Sequence, residues 1–287
     1  MNVGPQYKLD DNFKALARLH QSRYRAEILA VDYDTYGNRL TEADAKALKN
    51  YYNKLNVHSE LRNKYPNYSK ERDADMLRSE HIPFNMFAPL KEQPELAVSV
   101  LHNAFNIECT QIERLEIEWA PEDQQNYLGD RTAFDVYLEI FDAHNNRIGI
   151  GVEVKYTENS YKIGKSEARK VENKNSTYWT VTRNSGAFIN SVTKDIAKDD
   201  LRQIWRNHLL GLSMCLRGDI KDFVSITLHP AGNEHFINAI EDYNRFLSNT
   251  KKDRVRSCTF EKYIEAIEGN QSIMEWKSYL HRRYIVQ

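Results

Sequence analysis

Apolar and polar residues alternate in three stretches near the middle of the chain, at residues 112–120, 132–142 and 147–157. Alternation with a period of two places successive side chains on opposite faces of an extended backbone, so each stretch predicts a β-strand. A fourth apolar stretch, at 222–230, ends in Pro230 and predicts a further strand that stops at this proline. The middle of the chain therefore predicts a sheet.

Helical spacing surrounds these strands on both sides. At 198–216 apolar residues recur every three or four positions and Gly218 follows, which is typical of a helix and its C-terminal end. The segment 79–95 is also apolar, but three prolines interrupt it, so we do not expect one continuous helix there. Similar spacing predicts helices in the following segments: 7–54, 95–105, 233–247, 257–267 after a short strand, and 272–284.

From residue 95 onward the predicted order is helix, three strands, helix, strand and helix. Strands flanked by helices in this order predict an α/β or α+β fold, with a mixed central sheet packed between helices. The polar, proline-containing stretch 63–73 is the best candidate for a boundary. We therefore expect a helical N-terminal region at 1–66 and a second domain at 67–287, whose core covers about 79–230.

The second and third predicted strands form a hairpin whose register follows from their apolar residues. In both strands the even-numbered positions are apolar, and burying them on one face requires even positions to pair with even ones. The same register pairs odd positions with odd ones. Asp135, Glu153 and Lys155 therefore share the other face, with Asp135 within a position or two of Glu153. Gly149 and Gly151 leave that face open beside Glu153, where we expect an ion or a phosphate to approach.

Asp135, Glu153 and Lys155 can carry metal chemistry. Two neighbouring carboxylates raise each other's pKa, and a hard divalent cation such as Mg²⁺ removes that cost because it prefers oxygen ligands. We expect Mn²⁺ to substitute for Mg²⁺, and the Lys155 ammonium to orient the attacking water or to stabilise charge on a phosphate. The plain alternative is a solvent-facing Asp135 beside a common Glu-Val-Lys tripeptide.

Composition and charge narrow the choice of partners. The formal net charge is −1, so a nucleic-acid partner requires a local basic patch, and the loop predicted at 161–174 is one candidate. The three cysteines are far apart, which predicts neither a disulfide framework nor a zinc site. No apolar stretch is as long as a membrane span and the N-terminus lacks the pattern of a secretory signal, so we expect a cytoplasmic protein without membrane contact.

Asp135 and the tripeptide at 153–155 resemble the motif of the PD-(D/E)XK nuclease superfamily, whose members share the restriction-endonuclease-like fold. The core of that fold has the order helix, three strands, helix and strand, which the predicted elements at about 95–230 follow. Phe134 stands where the motif has proline. The stretches SEHIPFNMFAPL and GDRTAFDVYLEI are similar to a bacterial group of predicted restriction endonucleases.

The resemblance implies a metal site made of Asp135, Glu153 and the carbonyl oxygen of Val154. In many members of the superfamily an N-terminal acidic residue completes the site. Glu80 is the candidate for this role here, and Glu95 is the second candidate.

The resemblance also concerns residues on the helix that follows the motif. A glutamine recurs there in some branches, and Gln203 matches it, with an expected contact to the nucleophile or the phosphate. One branch has a tyrosine four residues further on, where this chain has Asn207, and that departure argues against this branch. His208, Trp119 and Trp205 are expected to pack in the core.

By resemblance the substrate is DNA, and the setting is restriction or phage defence. The helical N-terminal region and the basic loop would bind the DNA, the loop through four residues: Lys162, Lys165, Arg169 and Lys170. A homodimer, and a methyltransferase or other defence-system subunit, are the partners that this setting implies. Two alternatives stay open: a nucleic-acid-binding protein without catalysis, and a structure-specific nuclease of DNA repair or recombination.

Overall fold

The computed structural model describes residues 2–158, 160 and 163–286, which form five β-strands and eleven α-helices. The strands are β1 (Gln111–Trp119), β2 (Phe134–Phe141), β3 (Arg147–Val154), β4 (Asp222–His229) and β5 (Val255–Thr259). The helices are α1 (Asn12–Arg23), α2 (Glu42–Lys46), α3 (Val57–Lys64), α4 (Ile82–Phe87), α5 (Pro94–Phe105), α6 (Lys165–Glu172), α7 (Thr177–Asn184), α8 (Asp199–Arg217), α9 (His235–Asn244), α10 (Phe260–Glu265) and α11 (Gln271–Tyr284).

The strands form one mixed sheet in chain order, β1-β2-β3-β4-β5. Strands β1, β2 and β3 are an antiparallel meander, whereas β4 runs parallel to β3 and β5 runs parallel to β4. Parallel neighbours require crossover connections, and helices α6 to α8 and then α9 provide them. This arrangement confirms the predicted fold class, and β5 extends the sheet beyond the core expected at about 79–230.

Helix α8 packs against the sheet because one side of it is apolar along its length. Leu201, Trp205 and Leu212 are buried in a hydrophobic cluster that includes Phe223 of β4. The helix ends where Gly218 adopts a φ of 84°, the left-handed conformation that closes many helices. The helix predicted at this place, with its glycine end, is therefore confirmed.

The two faces of the sheet carry separate hydrophobic clusters. One face, which includes Val136, packs against α4, α5, α10, α11 and parts of the N-terminal segment, and the other packs against α7, α8 and α9. In the first layer the buried Gln21 of α1 donates to the Tyr156 hydroxyl and to the Arg283 carbonyl, each at 2.7 Å. The N-terminal segment thus shares a core with the sheet, and the boundary placed after residue 66 stays a prediction.

The expectation that Gly149 and Gly151 leave an open polar face was wrong. A Cβ atom at Gly151 would lie 2.6 Å from the ring of Phe134 and 2.7 Å from the ring of Phe223, both in the second cluster. Phe134 consequently packs on the odd-numbered face, although its even position predicted the other one. Gly151 makes room for these aromatic rings, and Gly149 makes room for the side chain of Ile220, rather than for a ligand.

Two other stretches refine the predicted elements. The basic segment 161–174, predicted as a loop, contains α6, and α7 follows it. The helical parts of 7–54 are α1, a π-helical turn at Tyr24–Leu29 and α2. The proline-interrupted segment 79–95 holds the short helix α4 between 3₁₀ turns before α5 begins, so it is not one continuous helix, as expected.

Candidate active site

Three carboxylates occupy adjacent positions on neighbouring strands. The register of β2 and β3, continued one position beyond the pair Val136 and Val152, places Asp135 opposite Glu153, within the one or two positions that the sequence predicted. In β1 and β2 the pairs Ile117 with Val136 and Trp119 with Phe134 leave Glu118 opposite Asp135. Directly opposed residues of an antiparallel pair have Cβ atoms about 4.5–5.5 Å apart. The sheet therefore gathers Glu118, Asp135 and Glu153, which we call the acidic row, across β1, β2 and β3.

Asp135 is in the middle of the acidic row. Its Oδ2 accepts a hydrogen bond from the backbone N–H of Val154 at 2.6 Å. Burial raises the pKa of Asp135 well above its usual value, the charges of Glu153 and Glu118 raise it further, and Lys155 opposes them. The fold thus holds this carboxylate at an energetic cost that a bound cation would relieve.

Among the residues that the structure describes, three side chains donate to Glu153. Its Oε1 accepts from Lys155 Nζ at 2.6 Å and from Gln203 Nε2, and its Oε2 accepts from Asn207 Nδ2 at 2.5 Å. Gln203 and Asn207 are four residues apart, so both lie on the same face of α8. Helix α8 therefore orients the Glu153 carboxylate. The sequence pointed to Gln203, but Asn207 stood out only as a departure from one branch.

Lys155 lies mostly inside the protein, with 12% of its side chain exposed. Burial lowers the pKa of a lysine, but the carboxylates of Glu153 and Asp135 outweigh burial here, so that the pKa of Lys155 lies above its usual value. Lys155 is consequently a cation at neutral pH. Such a group is suited to orienting water or stabilising a developing negative charge, and not to taking up a proton.

Glu118 is the member of the acidic row that the sequence did not reveal. Burial raises the pKa of Glu118 to about 7, while a hydrogen bond with the Tyr65 hydroxyl opposes that rise and the charge of Glu153 adds to it. Its backbone φ is 55°, in the left-handed region that few residues other than glycine adopt. The sequence shows that this position is polar, but it does not show that the backbone of this glutamate is left-handed.

The left-handed residue also breaks the alternation of β1. Ile117 belongs to the first hydrophobic cluster, and strict alternation would place Trp119 beside it. The Trp119 ring lies instead 4.1 Å from the Tyr137 ring, in the second cluster on the other face. The side chains of Ile117 and Trp119 therefore point to opposite faces of the sheet. Glu118 lies between them, where β1 departs from regular alternation.

The two acidic residues proposed to complete the site lie outside the acidic row. Glu80 is half-buried and its Oε1 accepts from an Arg78 Nη at 2.9 Å, although its charge still adds to the rise in the pKa of Glu118. Glu95 is exposed in the first turn of α5. Their roles at a metal stay predictions.

The four basic residues predicted to contact DNA differ in their surroundings. Lys165 and Arg169 are exposed on α6. Lys170 turns inward instead: its Nζ donates to the carbonyl of Gly129 at 3.0 Å and to that of Leu128. Lys162 lies outside the described residues. The inward contacts of Lys170 occupy its ammonium, so we leave it out of the binding surface considered below.

The acidic row fits a hard divalent cation by its donor chemistry. In the described part of the chain, no three His, Cys, Asp or Glu side chains are turned so that they could hold a metal together. Glu153 faces α8 and Lys155, so it would have to rotate toward Asp135. Because the N–H and C=O groups of one strand residue point to the same side, we expect the Val154 carbonyl to face Asp135 as its N–H does.

Of the three residues predicted to pack in the core, His208 and Trp205 are buried, and Trp119 is half-buried against the second cluster. His208 is buried with its Nδ1 3.0 Å from the Tyr243 hydroxyl, and burial lowers the pKa of His208 to about 3. Trp205 is fully buried and its Nε1 donates to Thr182 Oγ1 at 3.1 Å. The three cysteines are free thiols: Cys109, Cys215 and Cys258. In the described part of the chain, no helix is both long and apolar enough to cross a membrane.

The mixed sheet flanked by helices and the acidic row are consistent with a metal-dependent nuclease, and comparison with known families agrees. The family model described as PD-(D/E)XK nuclease superfamily matches residues 8–286, which is nearly the whole chain. The chain belongs to this superfamily, so the predicted family is confirmed and a metal-dependent nuclease is indicated. No curated protein and no solved structure matches the chain.

Proposed function

We propose that this protein is a Mg²⁺-dependent endonuclease that hydrolyses phosphodiester bonds in DNA and serves restriction or phage defence. The observation that carries the proposal most directly is the grouping of Asp135, Glu153 and Lys155, with Glu153 oriented by α8. A carboxylate pair beside a buried cation is the arrangement that phosphodiester hydrolysis with a divalent metal requires. Mn²⁺ would substitute for Mg²⁺ because it also prefers oxygen ligands.

Asp135, Glu153 and the carbonyl of Val154 would hold the metal. When bound, Mg²⁺ lowers the pKa of a water and polarises a phosphoryl oxygen. Lys155 would orient the attacking water and stabilise negative charge as it develops on the phosphate. Gln203 would keep Glu153 in place and contact the nucleophile or the phosphate once Glu153 turns toward the metal.

DNA would lie across the acidic row and along α6. Lys165 and Arg169 are exposed on this helix, which follows β3 and Lys155 in the chain. Exposed lysine and arginine side chains bind phosphates and give a salt-dependent, sequence-independent part of the affinity. Lys162 would belong to the same surface. The helical N-terminal region would also take part in binding the substrate.

A nucleic-acid-binding protein without catalysis is the second candidate. It is favoured by one observation, since Glu153 is bound to Lys155, Gln203 and Asn207 rather than turned toward Asp135. A structure-specific nuclease of DNA repair or recombination differs from the first proposal only in its substrate. A homodimer, a methyltransferase partner and a cytoplasmic location follow from the proposed setting.

The test is cleavage of supercoiled plasmid and linear DNA with Mg²⁺, with Mn²⁺ and with a chelator. We expect metal-dependent cleavage that Asp135→Asn and Lys155→Ala each reduce by at least about a hundredfold, because each removes a group required at the reacting phosphate. Glu113→Gln, at an exposed position of β1, and Lys221→Ala, at an exposed position directly before β4, are matched controls that should cleave like the wild type.

The outcomes separate the candidate functions. If the protein binds DNA equally well with and without metal, does not cleave it, and is unaffected by either substitution, the nucleic-acid-binding protein without catalysis is favoured. Cleavage confined to branched or flapped DNA would favour the repair or recombination nuclease. Cleavage of RNA in place of DNA would overturn the proposed substrate while keeping the chemistry.

A further inference from the structure

The member of the acidic row on β1, Glu118, has no role in the function proposed above. It lies opposite Asp135, and Asp135 lies opposite Glu153, so it is the direct neighbour of a proposed metal ligand. Placing a third carboxylate beside two others costs free energy, so we expect Glu118 to have a compensating partner or a functional role.

A hydroxyl group from outside the sheet reaches this carboxylate. Tyr65 follows α3 directly, and its hydroxyl interacts with the Glu118 carboxylate. The Tyr65 ring is held in turn, because the guanidinium of Arg72 stacks 4.4 Å from its centroid and Phe84 meets it edge-on at 6.0 Å. A phenol fixed on both sides can hold one carboxylate oxygen and leave the other free.

We propose that Glu118 is the third carboxylate ligand of the metal site and that Tyr65 is the residue that positions it. The inference rests on the proposed metal-dependent function and deepens it, because it assigns a ligand on β1 that the family motif does not contain. A third carboxylate suits Mg²⁺, which takes oxygen ligands in an octahedral arrangement. It also makes a residue from the predicted N-terminal region part of the active site.

Glu80 is the competing source of a third carboxylate. It is half-buried and paired with Arg78 at 2.9 Å, whereas Glu118 lies in register with Asp135. To bind the same cation, Glu80 would have to leave its arginine. Glu118 would need only a rotation of its side chain, with its backbone already placed in the acidic row.

The decisive measurement is Mn²⁺ binding to the purified full-length protein without nucleic acid, followed by electron paramagnetic resonance and by calorimetry. We expect Glu118→Gln to weaken Mn²⁺ binding at least about tenfold, since it removes a charged ligand while keeping the shape of the side chain. Glu113→Gln, at an exposed position of the same strand, should bind Mn²⁺ like the wild type. Glu80→Gln should change the affinity less than twofold.

Tyr65→Phe tests the positioning role, because it keeps the ring and removes the hydroxyl. We expect it to weaken Mn²⁺ binding up to about tenfold, as substitutions behind a metal ligand generally do. Combined with Glu118→Gln it should cause no further loss, since the two residues act on the same bond. A loss that adds to that of Glu118→Gln would mean a general structural effect and would overturn the positioning role.

Asp135→Asn distinguishes a failure of this inference from a failure of the proposed function. If Asp135→Asn abolishes Mn²⁺ binding while Glu118→Gln binds like the wild type, the inference is wrong and the metal-dependent function stands. If Glu80→Gln rather than Glu118→Gln weakens binding, the third ligand is Glu80. If the wild type binds no Mn²⁺ at all, both the inference and the proposed metal site fail.

Discussion

At the scale of single residues, the site depends on how Glu153 is held as much as on its charge. Helix α8 supplies two amides to its carboxylate, and the side chain of Asn207 is buried, so water cannot easily replace it. Hydrogen bonds to a charged group contribute about 1.5–3 kcal/mol each. Gln203 and Asn207 can therefore tune how readily Glu153 turns toward a metal.

Asn207→Ala should raise the Mg²⁺ concentration needed for half-maximal cleavage by about tenfold, since it removes the donor to Glu153 Oε2 and loosens a metal ligand. Cleavage at saturating metal should fall less, because Lys155 and Gln203 still contact the other oxygen. Metal titrations of the cleavage rate measure both quantities. Asn103→Ala, on the exposed face of α5, is the control. An unchanged metal requirement would show that the amide of Asn207 has only a packing role.

At the scale of elements, the periodic pattern of apolar residues predicted the strands and the faces of their side chains. A feature confined to a single residue could not be predicted in this way. The parity of the apolar positions was enough to place Asp135 on the same face as Glu153 and within a position or two of it, because a slip by one residue would have exposed every apolar side chain. The role of Glu118 could not be predicted, because it depends on a left-handed backbone conformation at this glutamate, which no sequence pattern indicates. The glycines of β3 were misinterpreted, since Ile220 beside Gly149 and Phe223 beside both glycines come from a distant part of the chain.

Gly151→Ala tests the packing role of that glycine. The new methyl group would meet the rings of Phe134 and Phe223 at less than 3 Å, so we expect the free energy of unfolding to fall by about 1–3 kcal/mol. Gly164→Ala is the control, because a Cβ there would meet nothing within 4 Å. Urea denaturation measures both. If Gly151→Ala leaves stability unchanged and impairs only metal or DNA binding, the glycine keeps space for a ligand after all.

Helix α6 gives the second prediction at this scale. Replacing both Lys165 and Arg169 by alanine should weaken DNA binding at low salt and lower the slope of log affinity against log salt, by about 0.9 for each lost phosphate contact. Affinity measured by fluorescence anisotropy between low and physiological salt gives the slope. Lys221→Ala, at an exposed position before β4, should leave the slope unchanged. A double variant with the wild-type slope would remove α6 from the DNA-binding surface.

At the scale of the whole molecule, both faces of the sheet are closed by helices, and each layer buries histidine. His81 lies in the layer with the N-terminal segment and His208 in the layer formed by α8. Burial lowers the pKa of His208 to about 3, and burial together with the charge of Arg283 lowers that of His81 well below its usual value. Both side chains are therefore neutral in the folded protein at pH values where the unfolded chain protonates them.

The pH dependence of stability follows from the sign of these shifts. Below the unfolded pKa of about 6.5 the unfolded chain binds the proton and the folded protein does not. Each histidine therefore contributes stability above this pH and loses it as the pH falls, at up to about 1.4 kcal/mol per pH unit. The raised pKa values of Glu118 and Asp135 act in the opposite direction, because there the folded protein binds the proton more readily. The net curve alone is therefore ambiguous.

His208→Gln isolates one contribution, because glutamine can still reach the Tyr243 hydroxyl but has no proton to take up in this range. We expect the stability difference between wild type and variant to shrink between pH 6.5 and pH 5, with a slope that approaches about 1.4 kcal/mol per pH unit. Urea denaturation across this range measures it, and His144→Gln, exposed in the β2–β3 turn, should run parallel to the wild type. A constant difference between wild type and His208→Gln would mean that His208 takes up its proton equally in both states, which its burial between α8 and the sheet does not permit.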